Sequence, residues 1–273
     1  MIFEPVLFEK FPEATLTPMC FTNPDGKMFT PRRAVIVCPG GGYNHVSPRE
    51  AEPVAAQFLA AGCAPFILNY GVGENAKDFR PLKTLARAIR YLRENAEVYS
   101  IDPNYVFVCG FSAGGHLAAS SGVLWSSPVL DEIAEGAPRD VVRPTGMILG
   151  YPVISAGEFA HRGSFKQLCG KEEPSEAEQR VFSLELHVDS TTPPTFLWHT
   201  FADHAVPVQN SLLMAEAMSK AGVPFELHVF PEGRHGLSLC NDLTASRKPE
   251  INIVPHTAQW LPLALRWVKD FNI

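Results

Sequence analysis

An apolar run, Tyr105-Val106-Phe107-Val108-Cys109, leads directly into Gly110-Phe111-Ser112-Ala113-Gly114 and then into Gly115-His116-Leu117-Ala118-Ala119-Ser120. The run reads as a buried strand, and the segment after Ser112 reads as a helix of small residues. The Gly-x-Ser-x-Gly between them must then be a sharp strand-to-helix turn. Such a turn forces its serine into a strained backbone, and it closes only if the neighbouring residues are small. It also leaves a hydroxyl at a helix N-terminus, where backbone N–H groups point at developing negative charge. A strand that feeds straight into a helix is the unit from which α/β folds are built, and its repetition along a chain is their signature.

The rest of the chain repeats that alternation. Ala34–Cys38 predicts a strand that ends in Pro39-Gly40-Gly41-Gly42, and Arg49–Ala61 predicts a helix stopped by Gly62. Strands are expected at Ala64–Tyr70, Tyr105–Cys109, Gly146–Leu149, Thr195–His199 and Phe225–Phe230. Helices are expected at Leu82–Asn95, Val208–Ala221 and Thr257–Phe271, and the first of these carries Leu85, Ala88, Ile89 and Leu92 on one face. Segments near Val6–Phe8 and Leu16–Phe21 suit antiparallel edge strands. No repeat or low-complexity linker interrupts the pattern, so residues 1–273 are expected to form one domain with a mostly parallel sheet and helices on both faces. The stretch from Val153 to Pro193 breaks the alternation. It is long, polar and rich in turn residues, with a short helix expected at Ser175–Phe182, and it reads either as a small lid or as a surface loop.

Composition narrows the class of function. With 46% hydrophobic residues in 273, the chain can bury a large core. A formal net charge of −6 supplies no basic surface for nucleic acid or an anionic membrane. The first ten residues lack the apolar core of a signal peptide, which leads to the expectation of a cytoplasmic protein; a homo-oligomer is allowed. Cys20, Cys38, Cys63, Cys109, Cys169 and Cys240 are scattered, with no Cys-x-x-Cys pair, so reduced structural thiols are expected rather than a disulfide frame or a zinc site. The histidines show no His-x-x-x-His spacing with a third ligand nearby, and neither a metal nor another cofactor is expected.

A serine hydroxyl becomes a useful nucleophile when an oriented base takes its proton. Where the serine sits on a Gly-x-Ser-x-Gly elbow of this kind, the acid and then the base follow it in the chain, each in a loop after a later strand. Asp203 follows the strand at Thr195–His199, and His235 follows the strand at Phe225–Phe230. His256, in a late loop, is an alternative base, and His204 is a candidate pocket residue beside the acid. His199 and His228 fall inside strands, and His116 falls on the helix after Ser112, so structural roles suit these three. Asp189 precedes its strand, and Glu232 is too near His235 in sequence to serve as the acid. An oxyanion also needs donors. Gly41 and Gly42, after the first long strand, and Ala113, after the nucleophile, can offer backbone N–H groups. The glycine loop matches neither phosphate-binding pattern, Gly-x-x-x-x-Gly-Lys-Ser/Thr or Gly-x-Gly-x-x-Gly.

Taken together, five segments resemble the serine esterases of the α/β-hydrolase fold, and more narrowly the bacterial acetyl-esterase and carbohydrate-esterase branch labelled acetylxylan or feruloyl esterase-like. They are Cys38-Pro39-Gly40-Gly41-Gly42-Tyr43, Gly110-Phe111-Ser112-Ala113-Gly114-Gly115-His116, Gly150-Tyr151-Pro152-Val153-Ile154, Asp203 with Val206-Pro207, and Pro231-Glu232-Gly233-Arg234-His235-Gly236. The resemblance runs from about residue 15 to the C-terminus. Many relatives with the three-glycine loop have His where this chain has Pro39. The resemblance implies hydrolysis of a small acyl ester, with an acetyl group on an oligosaccharide or small molecule as the natural case. A peptidase of the same fold and a non-catalytic binding module are the competing classes.

Overall fold

Neighbouring residues of each central strand face opposite layers, and both layers are apolar. Ala34 and Ile36 pack on one side of the sheet, while Val35 and Val37 pack on the other. A computed structural model describes residues 3–21, 23, 30–246 and 251–272. The strands are β1 (Val6–Phe8), β2 (Phe11–Pro18), β3 (Arg32–Cys38), β4 (Ala64–Asn69), β5 (Ile101–Phe111), β6 (Gly146–Gly150), β7 (Thr195–Thr200) and β8 (Phe225–Phe230). They form one sheet in the order β1-β2-β4-β3-β5-β6-β7-β8. The β1–β2 and β2–β4 pairs are antiparallel, and all other pairs are parallel. The edge strands expected near the N-terminus are therefore present, although β2 lies earlier than the expected Leu16–Phe21.

The helices are α1 (Glu52–Ala60), α2 (Arg80–Glu94), α3 (Ala96–Tyr99), α4 (Ala113–Val123), α5 (Asp131–Ala134), α6 (Arg162–Cys169), α7 (Glu176–Phe182), α8 (Gln209–Ala221) and α9 (Trp260–Asp270). Leu85, Ile89 and Leu92 of α2, Leu117 of α4 and Met214 and Met218 of α8 fill one core. Val54 and Phe58 of α1 and Trp260, Ala264 and Val268 of α9 fill the other. Every residue of α4 is buried, as expected of a helix made of small and apolar residues.

Two expected helices begin later than periodicity suggests, and proline is the reason. The segment expected as helix from Arg49 forms a separate 3-10 turn, Pro48–Glu50, before α1 begins at Glu52. Pro53 has no N–H to give to the carbonyl of Arg49, which accepts from the Ser238 hydroxyl at 2.6 Å instead. Pro262 likewise has no N–H for Ala258, and a 3-10 turn, Thr257–Gln259, precedes α9. The strand expected at Tyr105–Cys109 is longer at both ends, because β3 pairs with it from Ile101 to Gly110.

The segment from Val153 to Pro193 is folded and docked. It contains α6 as well as α7, whose start is fixed by a capping box between Ser175 and Glu178. Asn210 of α8 holds its root: Oδ1 accepts from the N–H groups of Ile154 (2.9 Å) and Ser155 (3.0 Å), and Nδ2 donates to Phe159 O (3.0 Å). Phe165, Leu168 and Leu184 of this segment are buried in the main core. All six cysteines are free thiols, five of them buried.

Candidate active site

The carboxyl ends of β3, β5, β6, β7 and β8 lie along one edge of the sheet, and the sequence-predicted residues are in the loops that leave them. Ser112 directly follows β5 and starts α4 with φ 53° and ψ −120°, a conformation that non-glycine residues adopt only under constraint. Its amide donates to Gly150 O at 3.0 Å, and its carbonyl accepts from His116 (3.0 Å) and Val153 (3.1 Å). The glycines of the motif allow the close approach. A Cβ on Gly110 would stand 2.1 Å from Gly114 O, and one on Gly114 would stand 2.1 Å from Cys38 O. The turn therefore closes against both its own helix and β3.

Ser112, His235 and Asp203 are brought together as one hydrogen-bonded chain. The Ser112 hydroxyl donates to His235 Nε2 at 2.7 Å, and His235 Nδ1–H donates to Asp203 Oδ2 at 2.6 Å. Asp203 is 3% exposed and Ser112 is 6% exposed. Asp203 Oδ1 accepts the N–H groups of Ala205 and Val206, both at 2.9 Å. Burial alone would raise the Asp203 pKa. Hydrogen bonds from His199, His235 and Val206, with the imidazole charge, outweigh burial and hold it well below the usual carboxylate range.

His199 is the partner that strand position conceals. It is wholly buried on β7, accepts the Ser211 hydroxyl at Nδ1 (2.8 Å) and donates from Nε2 to Val206 O (2.9 Å). The same Nε2 lies 3.5 Å from Asp203 Oδ2. His256 is elsewhere: it is exposed and meets the Phe230 ring edge-on. His204 and Glu232 are exposed, and Asp189 accepts from Thr191. His228 pairs with Glu226 on β8 at 2.7 Å. His116 is structural: its Nδ1 accepts the Tyr43 hydroxyl (2.9 Å) and its Nε2–H donates to Phe182 O (3.0 Å).

The glycine loop lies beside the serine. A Cβ on Gly40 would stand 2.9 Å from Ser112 Cβ. Gly41 (φ 131°) and Gly42 (φ 64°) have backbone conformations that favour glycine. Gly41 O accepts from Asn44 (3.0 Å) and His45 (3.2 Å), closing the loop into a tight turn. Among the described residues no acceptor takes the N–H of Gly41 or Gly42. Ala113, as the first residue of α4, has no intrahelical acceptor. His161 covers this loop from the docked segment. Its Cε1 is 3.7 Å from where a Gly42 Cβ would stand, and its Nδ1 lies 2.8 Å from Ser164 Oγ. Burial lowers the His161 pKa, and the nearby His235 lowers it further. Neither His161 nor Glu50, which accepts the N–H of Gly40 at 2.8 Å, is among the candidate site residues that the sequence offers. Among the described residues no cluster of His, Cys, Asp and Glu could hold a metal ion, and no helix is long and apolar enough to cross a membrane.

The BD-FAE family model matches residues 23–218. The chain belongs to the BD-FAE family. Over 217 residues it is 39% identical to endo-1,4-beta-xylanase B of Butyrivibrio fibrisolvens, a match that covers 77% of this chain and 33% of that protein. Over 227 residues it is 35% identical to an acetylxylan esterase of Xylanibacter ruminicola, covering 80% of this chain and 43% of the relative. The chain thus spans less than half the length of these two curated relatives. Among solved structures, an acetyl ester-xyloside bifunctional hydrolase of Caldicellulosiruptor lactoaceticus superposes with a TM-score of 0.81 at 41% identity, covering 94% of this chain and 87% of that one. The BD-FAE chain has the α/β-hydrolase fold.

Proposed function

We propose that this BD-FAE chain is a serine carboxylic-ester hydrolase that removes a short acyl group, acetyl foremost, from a small or oligosaccharide substrate. Ser112 attacks the ester carbonyl while His235 takes its proton. Asp203 keeps the imidazole in the tautomer that presents Nε2 to the serine and stabilises the imidazolium that forms. The N–H groups of Gly41, Gly42 and Ala113 receive the oxyanion. His235 then protonates the leaving alcohol, and water repeats the sequence on the acyl-enzyme.

The observation that carries this reading is the Ser112–His235–Asp203 chain, with contacts of 2.7 and 2.6 Å, at the strained turn. The acyl preference rests on other support. The segment from Val153 to Pro193 is polar, with Glu158, Arg162, Lys166, Lys171, Glu172 and Glu173 exposed and His161 against the glycine loop, which suits a polar leaving group better than a fatty chain. The acetylxylan esterase relative points the same way.

The test compares wild type with Ser112→Ala on p-nitrophenyl esters from acetyl to octanoyl and on acetylated xylo-oligosaccharides. Ser112→Ala should remain folded and lose turnover by several powers of ten. Undiminished turnover would exclude this serine. Each buried methylene can contribute about 0.8 kcal/mol, so a long-chain enzyme shows kcat/KM rising with chain length. A steady climb from acetyl to octanoyl would sink the short-acyl preference alone.

A further inference from the structure

We infer that Glu50 is a positioning residue, a buried carboxylate that ties the oxyanion-binding loop to the loop carrying His235. The inference rests on the serine-esterase reading above. Glu50 ends the 3-10 turn before α1 and is 3% exposed. Among the described residues no lysine or arginine pairs with it. Its Oε2 accepts the N–H of Gly40 at 2.8 Å, and its Oε1 accepts the Tyr151 hydroxyl at 2.5 Å. Tyr151 Oη in turn accepts the N–H of Ser238 at 3.0 Å. The Tyr151 ring meets the His235 imidazole edge-on, with centroids 5.0 Å apart.

The residue before Glu50 completes the tie. The Arg49 guanidinium donates to Gly236 O at 2.8 Å, and the Arg49 carbonyl accepts from Ser238 Oγ at 2.6 Å. Residues 49 and 50 therefore hold the chain immediately after His235 and the root of the glycine loop at once. The placement is tight: a Cβ on Gly40 would stand 2.8 Å from Glu50 Oε2 and 2.9 Å from Ser112 Cβ. The Gly40 amide is one peptide before that of Gly41 and two before that of Gly42, two of the three proposed oxyanion donors, so its anchor sets their direction.

The chemistry at position 50 requires acceptors only. Two donors, an amide and a phenol, converge on one side chain, and the phenol oxygen is already accepting from Ser238. A carboxylate offers an oxygen to each donor. A carboxamide offers one oxygen and one N–H group, so either the Gly40 amide faces another donor or the Tyr151 O–H turns away and loses its acceptor. An uncompensated carboxylate is costly to bury, and here each of its oxygens accepts from a neutral donor, the Gly40 amide of the glycine loop and the Tyr151 hydroxyl just after β6.

The experiment compares wild type, Glu50→Gln, Tyr151→Phe and the double variant with p-nitrophenyl acetate. Active sites are counted by fluorophosphonate labelling run to completion, and Ser112→Ala serves as control. Glu50→Gln should lower kcat per labelled site on the order of a hundredfold with KM changed only a few-fold, because the lost alignment matters most in the transition state. In the Tyr151→Phe background the same change should cost clearly less, since the carboxamide oxygen is then free for Gly40. A kcat per labelled site within threefold of wild type would overturn the role, as would a loss seen only as fewer labelled sites. An equal cost in both backgrounds would overturn the shared-carboxylate account. Labelling and turnover that persist in Ser112→Ala would defeat the serine reading itself, whatever Glu50 does.

Discussion

At Asp203, burial and hydrogen bonding act in opposite directions, and hydrogen bonding wins. A carboxylate at 3% exposure survives as a charge because Ala205, Val206, His199 and His235 surround it with donors. Its folded pKa is depressed, so it adds stability above the unfolded value near 4, and that contribution is lost as pH falls through the lower folded value. In the activity profile the acid limb should therefore not belong to this carboxylate. Asp203→Asn replaces an acceptor with an amide that can force the wrong imidazole tautomer. Turnover should fall about 10³- to 10⁴-fold with the fold retained, as measured by kcat and circular dichroism. A loss below tenfold would mean that the imidazole is oriented without it.

Among the elements, α4, the glycine loop and α7 meet at His116. This side chain accepts from Tyr43 and donates to Phe182, so the neutral imidazole joins α4 to the loop and to the docked segment. Burial lowers its pKa from 6.5 to about 4. The unfolded chain therefore binds the proton more readily than the folded one. The contribution of His116 to stability is intact above pH 6.5 and is lost as pH falls toward about 4. Between pH 7 and pH 5 this amounts to on the order of 2 kcal/mol. His161 is depressed in the same direction and adds to the trend. His116→Gln keeps an acceptor and a donor but cannot titrate there. Urea unfolding at pH 7 and pH 5 should show a smaller loss in the variant than in wild type, and equal losses would remove His116 as the acid-sensitive joint.

Across the whole molecule, the second core reaches the site through Trp260. Its ring stacks on Trp198 of β7 at 4.8 Å and 11°, and meets Phe111, the residue before the serine, edge-on. Its Nε1–H donates to Ser238 O at 2.9 Å, so α9 supports the His235 loop from beneath. Trp260→Ala would leave a cavity among residues that cannot collapse without moving the sheet edge. Stability should fall by about 3–5 kcal/mol in equilibrium denaturation, and a change under about 1 kcal/mol would show that the neighbouring aromatics repack.

The α/β class and the order of the central strands' chemistry were legible in local sequence, because buried parallel strands are short apolar runs and the serine turn demands glycines at set offsets. The convergence of Asp203 and His235 on Ser112 was legible for the same reason: each follows a strand that ends at the same edge of the sheet. Local pattern could not reveal residues whose role is defined by a partner far along the chain. Glu50 meets Tyr151 across 101 positions, and Arg49 meets Gly236 across 187. His199 looks like any strand residue until Asp203 folds back beside it. The docking of the segment from Val153 to Pro193 was also settled in three dimensions, whereas the helix starts near Pro53 and Pro262 follow from the prolines themselves. Periodicity records which face of an element is apolar, whereas the hydrogen-bond partners of a buried polar group are chosen by the packing of whole elements.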